Sequence, residues 1–261
     1  CLCGELMKKK IKIICSDLHL GVGRTFEDGR INSLEEFYFD EKFNYQKDYE
    51  EIINGFIDGT IDIAYLGPFP YALLKSKYEF VKPIVVFKRK DGTSNYRCAI
   101  SKFSKDKLDL NKPIKVALTQ PESTCGYYFT NQLLNEKFSI SLEDTKYNYT
   151  MSHTNALTSV MREEYLLAGS SEEIARKYES LGMEIIALSE ALPGLTLVVN
   201  TKTLSLEEID MITNALLNIP KQNYEMLGDI AKYGVAPADV SSYDIFNIEC
   251  EIPKKGNIDE I

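Results

Sequence analysis

Apolar and polar positions change period several times along the chain. Residues 10–15 (KIKIIC) alternate and are β-branched, which predicts an early strand. Over 46–58 the apolar positions Tyr49, Ile52, Ile53, Phe56 and Ile57 recur at helical spacing, the stripe of an amphipathic helix, and Gly59 is its stop signal. Residues 61–66 (IDIAYL) read as a short apolar strand that runs into Gly67-Pro68, a turn that forbids its continuation. Further strands are predicted over 83–87, 96–101 and 114–119. A turn at 120–122 then leads into Ser123-Thr124-Cys125-Gly126, which opens a helix to about residue 137, and Ser152 caps a helix over 153–163. Strands at 165–168, 184–188 and 195–200 alternate with helices at 171–181, 205–218 and 223–232. This alternation predicts α/β layering, with a mostly parallel sheet covered on both faces. The polar tail from Ile252 (IPKKGNIDEI) is expected to fray.

Composition excludes several classes. With 44% apolar residues in 261, the chain can bury a core, so a disordered acidic protein is ruled out and one large or two smaller domains are expected. No apolar run approaches the roughly 18 residues of a membrane span, which predicts a soluble chain. Lys+Arg 30 against Asp+Glu 39 gives a net charge of -9, which offers nucleic acid no electrostatic footprint and weighs against an anionic ligand. Cys1, Cys3, Cys15, Cys98, Cys125 and Cys250 form neither a CxxC pair nor a zinc-ligand spacing. Buried or free thiols are expected rather than disulfides, and neither a metal nor a cofactor is expected. A leading Cys1 fits an acylated lipoprotein start, while Met7-Lys8-Lys9-Lys10 fits a translation start, and no signal-peptide apolar core is visible.

The candidate chemistry lies at two helix starts. First-turn N–H groups have no partner inside a helix and carry the positive end of its dipole, so an oxyanion fits there. At Ser123-Thr124-Cys125-Gly126, two hydroxyls add donors and glycine lets the backbone approach closely; plain N-capping is the alternative reading. Ser152-His153-Thr154-Asn155 is a second junction of the same kind. Both follow predicted strands, and ligands of α/β sheets bind at the carboxyl ends of strands.

Several stretches in one order resemble the phosphate/phosphite/phosphonate-binding proteins of ABC importers. They are Lys47-Asp48-Tyr49-Glu50-Glu51-Ile52-Ile53, Ile61-Asp62-Ile63-Ala64-Tyr65-Leu66-Gly67-Pro68 with Tyr71, and Glu122-Ser123-Thr124-Cys125-Gly126-Tyr127. Ser152-His153-Thr154-Asn155-Ala156-Leu157 follows, and then Tyr233-Gly234-Val235-Ala236-Pro237-Ala238-Asp239 with Tyr243-Asp244. The resemblance spans about residues 45–245. It implies an α/β, two-lobed type II periplasmic-binding-protein fold that closes like a hinge. Lobe one would hold 1–95 plus 194–261, and lobe two 96–193.

The resemblance also implies a function: a non-enzymatic solute-binding component that captures phosphonate, phosphite or phosphate in an interlobe cleft and serves the membrane subunits of an importer. A monomer at the periplasm or cell surface is expected, with no nucleic-acid partner. The implied ligand contacts are Tyr49, Tyr96, Ser123, Thr124, Cys125 and His153. Position 125 is commonly a hydroxyl residue in the family, so here a weak thiol donor would replace a stronger one. Glu173 falls where some relatives place an acid that meets a substrate amine. Its acidic companion is missing, because Leu192-Pro193-Gly194 continues with Leu195, and this favours a small ligand over an aminoalkylphosphonate.

A competing motif stands at the front. Ser16-Asp17-Leu18-His19-Leu20-Gly21 resembles the opening motif of calcineurin-like metallophosphoesterases, in which Asp-x-His reaches one metal of a two-metal site. The likeness runs on through Glu27-Asp28-Gly29-Arg30-Ile31-Asn32 to about Phe43. The GNH and GHxH motifs that supply further ligands are absent, and the only other histidine is His153. Residues 7–44 are therefore either the first strand and helix of lobe one or a foreign front end. The alternative functions are a metal-dependent phosphoesterase using Asp17 and His19, and an oxyanion sensor.

Overall fold

The computed structural model describes residues 49–110, 112–227, 231–248 and 252–258, with the backbone alone at 225–227 and in three short strands before residue 40. In chain order the first elements are β1 (Lys10–Ile11), β2 (Ile13–Cys15), β3 (Tyr38–Phe39), α1 (Tyr49–Asp58), β4 (Ile63–Leu66), α2 (Pro68–Lys77) and β5 (Val81–Phe87). Next come β6 (Cys98–Phe103), β7 (Lys115–Leu118), a π-type turn (Thr124–Tyr128), α3 (Phe129–Phe138), β8 (Lys146–Tyr149) and α4 (His153–Met161). The remaining ones are β9 (Leu167–Ser171), α5 (Glu172–Lys177), β10 (Met183–Leu188), β11 (Thr196–Asn200), α6 (Leu206–Leu217) and β12 (Val235–Pro237). The chain divides into two compact units: unit 1 takes Cys1–Leu66, Leu74–Ser94 and Leu195–Ser242, and unit 2 takes Gly67–Leu73, Asn95–Gly194 and Tyr243–Ile261.

The sheet of unit 1 has the order β12-β5-β11-β4-β2. The strand predicted at 10–15 divides: β1 pairs with β3, while β2 lies parallel to β4 with Ile13 opposite Ile63. β11 runs antiparallel to both β4 and β5. The sheet is thus mixed rather than mostly parallel, because β11 follows directly on the chain's excursion through unit 2 instead of a βα crossover within the sheet. All five β11 residues are buried, and Ile63, Tyr65, Leu197 and Val199 pack with Ile209 and Ile212 of α6. Asn200 is fully buried, and its Nδ2 donates to the carbonyls of Phe56 (2.9 Å) and Ile61 (3.2 Å), which ties the end of α1 to β11.

Two helices differ from the sequence reading. α2 forms where only a turn was predicted, because Pro68 takes a first helical position at which its fixed φ suits the helix. Of the helix expected at 223–232, the first part is instead a 3-10 segment, Lys221–Leu227, opened by the Asn223 N–H to the Pro220 carbonyl, while residues 228–230 lie outside the described residues.

The sheet of unit 2 has the order β10-β6-β9-β7-β8, with β8, β7 and β9 parallel and β6 antiparallel to its neighbours. Strand alternation sorts its two faces. Cys98, Ile100, Val116, Leu118 and Leu167 face Leu133 and Leu134 of α3, together with Phe69 and Phe246. Ala99, Ala117 and Ala168 turn to the other face, where their small side chains admit Ala156, Leu157 and Val160 of α4 and Ala175 of α5.

The tail expected to fray is docked instead. Asn257 N–H donates to the Tyr147 carbonyl (3.0 Å), Tyr147 N–H to Asn257 Oδ1 (2.8 Å), and Asn257 Nδ2 to the Thr145 carbonyl (2.7 Å). The Tyr149 hydroxyl donates to the Pro253 carbonyl at 2.6 Å. The cause is that β8 is an edge strand whose outer backbone groups need partners, which residues 252–258 supply. A Cβ at Gly256 would lie 2.5 Å from the Tyr147 carbonyl oxygen, so only glycine permits this approach. Among the described residues no helix is long and apolar enough to cross a membrane.

Candidate functional site

Parallel pairing brings the carboxyl ends of β8, β7 and β9 to one edge of unit 2, and a helical start follows each: α4, the π-type turn and α5. The loops after β7 and β8 are joined by the Thr150 N–H to the Leu118 carbonyl and the Met151 N–H to the Thr119 carbonyl, both 2.8 Å. Gln120 Nε2 donates to the Met151 carbonyl at 3.2 Å, while its Oε1 is buried and has no hydrogen-bond partner among the described residues.

Ser123 builds the first start. Its Oγ accepts from Gly126 N–H (3.0 Å), its carbonyl accepts from Tyr127 and Tyr128 N–H (3.2 and 3.1 Å), and Phe129 N–H reaches back to the Thr124 carbonyl. The last bond closes a π-type ring, a widened turn that often marks functional sites. Gly126 is required: any Cβ there would collide with the Thr119 side chain, whose N–H donates to the Gly126 carbonyl at 3.2 Å. The N–H groups of Thr124 and Cys125 precede the first acceptors of the helix, so the turn leaves them for an external acceptor. Thr124 Oγ1 accepts from Phe69 N–H (3.0 Å), which leaves the hydroxyl proton to be donated elsewhere.

At the second start Ser152 Oγ accepts from Asn155 N–H at 3.1 Å. His153 Nδ1 accepts from Ser171 N–H at 3.3 Å, which places the ring proton on Nε2 as a donor. The imidazole is therefore oriented by the end of β9.

Cys125 requires a correction. It is disulfide-bonded to Cys98 at the start of β6, with the two Cα atoms 4.9 Å apart, a separation that disulfides span. Neither residue is a free thiol, and what Cys125 contributes at the turn is its backbone N–H. Register also places Tyr96 at this edge: Cys98 pairs with Ser171, and Tyr96, two residues earlier, bridges Leu192 by bonds of 3.1 and 2.8 Å. Glu173 lies in the first turn of α5, half exposed, with Lys177 Nζ at 3.8 Å. Tyr49 opens α1 in unit 1, where it is buried.

Several features were not anticipated from sequence. The Phe69 N–H is delivered by α2, for which Pro68 was the available signal. The disulfide links residues 27 apart. Glu122, 3% exposed at its side chain, pairs with Lys254 of the docked segment, 132 residues away. No short-range pattern marks either pair. Burial, then Tyr127, Tyr147 and Glu122, pushes the Tyr149 phenol well above its ordinary range. Among the described residues, no group of three or more His, Cys, Asp or Glu side chains is arranged to hold a metal ion. Asp17 and His19 lie outside the described residues.

Residues 36–243 match the family described as ABC transporter, phosphonate, periplasmic substrate-binding protein. The chain belongs to this family. Its members are substrate-binding components of transporters and not enzymes, and they are periplasmic. No curated protein matches the chain in sequence.

Solved structures agree on the fold. A binding protein component of an ABC phosphonate transporter from Pseudomonas aeruginosa superposes with a TM-score of 0.67 at 17% identity, over 90% of this chain and 83% of that one. PhnD1 from Prochlorococcus marinus, solved in complex with methylphosphonate, gives 0.66 at 12% identity, over 91% and 95%. A Candida albicans protein with the generic periplasmic binding protein fold gives 0.57 at 13% identity, over 84% and 71%. The chain thus has the α/β periplasmic binding protein fold expected from its sequence.

Proposed function

We propose that the chain captures a small phosphorus oxyanion, namely phosphonate, phosphite or phosphate, at the strand-end edge of unit 2 and delivers it to the membrane subunits of an importer. The observation that carries this reading is the pair of adjoining helix starts, at Ser123-Thr124-Cys125 and at His153. They bring together backbone N–H groups, hydroxyls and the His153 imidazole. Four such bonds to an anion, each worth about 1.5–3 kcal/mol net, bracket the roughly 8 kcal/mol of micromolar binding.

Tyr96 and Tyr49 are proposed contacts on the strength of the sequence resemblance, as is hinge closure around the ligand. Glu173, half exposed beside Lys177, supports a compact ligand over an aminoalkylphosphonate. Monomeric behaviour belongs to the same proposal.

A thermal-shift panel of phosphite, phosphate, methylphosphonate, 2-aminoethylphosphonate and sulfate tests the reading. A bound oxyanion at 100 times its dissociation constant adds about 2.7 kcal/mol of stability. The small phosphorus oxyanions are expected to raise the melting temperature more than 2-aminoethylphosphonate or sulfate does. No shift with any phosphorus compound would overturn the proposal.

A further inference from the structure

We propose that Lys254, on the segment docked along β8, is an electrostatic positioning residue for the oxyanion site. It holds the buried Glu122 carboxylate as a neutralised pair, so that an anion can settle at the neighbouring turn. This rests on the reading of unit 2 as an oxyanion site.

Glu122 is bonded directly to Ser123, so about 3.8 Å separates their Cα atoms. Its side chain is 3% exposed, whereas that of Lys254 is 53% exposed. A carboxylate shielded from water repels a nearby anion strongly, because the low dielectric screens little. Among the described residues, the groups that face Glu122 are Lys254 and Tyr149. The Tyr149 proton is committed to the Pro253 carbonyl at 2.6 Å. Among the described residues the Lys254 ammonium is therefore the hydrogen-bond partner of this carboxylate. The segment has its own anchors at Pro253 and Asn257, so Lys254 is not needed to dock it. The charge is its specific contribution.

Calorimetric titration of methylphosphonate into the full chain tests the assignment with wild type, Lys254→Arg, Lys254→Met, Glu122→Gln and the Lys254→Met/Glu122→Gln double variant. Lys254→Met is expected to bind about tenfold more weakly, the equivalent of about 1.4 kcal/mol. Lys254→Arg and Glu122→Gln are expected to stay within about threefold of wild type, and the double variant to recover the loss. Rescue by an uncharged amide is a response that a purely structural lysine would not give.

Affinity unchanged in Lys254→Met, or a double variant as weak as the single one, would overturn the role of Lys254. If Lys254→Met does not fold, Glu122→Gln decides: retained affinity supports the assignment and a tenfold loss overturns it. A wild-type chain that binds no phosphorus oxyanion would overturn the oxyanion reading itself, and the positioning role with it.

Discussion

Thr124 shows how one side chain is set to donate. Because Phe69 N–H occupies an acceptor position on Oγ1, the hydroxyl proton turns to a different partner, and the residue is 4% exposed at the turn. Thr124→Val keeps the shape but loses the donor and leaves the Phe69 N–H without its acceptor. Oxyanion affinity is expected to fall about tenfold or more in this variant, whereas Thr124→Ser should stay close to wild type. Calorimetry on the pair checks this, and equal affinity in both variants would remove Thr124 from the site. At the same scale Cys125 was read as a thiol donor, and the structure gives it a different chemistry, a disulfide to Cys98. Its sequence neighbours announce a helix start, while its bonding partner lies on β6, 27 residues upstream.

Elements whose signals are local were legible. The apolar stripe of α1, the Ser152 cap of α4 and the Ser205 cap of α6 each sit within a few residues of what they organise. The π-type turn was read as an ordinary helix start because its widening depends on the close contact between Gly126 and Thr119, a tertiary fact. Docking of residues 252–258 was missed for the same reason: polarity predicts fraying unless an edge strand is waiting. The disulfide joins two such elements, β6 and the turn. By the chain-entropy account it contributes about 3–4 kcal/mol for a loop of this length. Urea unfolding of wild type against Cys98→Ala/Cys125→Ala is expected to show a loss of that order, with a further drop in oxyanion affinity as the turn loosens. Equal midpoints would contradict a stabilising bond.

Across the whole molecule, the charge of -9 argued against an anionic ligand, yet the chain belongs to a phosphonate-binding family. Net charge governs long-range steering, which salt screens beyond about 8–10 Å, whereas recognition here would use donors that add nothing to the formal count. Helix-start N–H groups, hydroxyls and an imidazole would hold an oxyanion without a basic funnel. The acidic surface and the anionic ligand are then compatible, and affinity should respond only weakly to ionic strength. Titration calorimetry of methylphosphonate into the wild-type chain at low and high salt tests this most directly. The account predicts saturable binding at one site, with a dissociation constant that changes by less than about threefold between about 50 and 500 mM sodium chloride. Absence of saturable binding, or an affinity that collapses as salt rises, would contradict it.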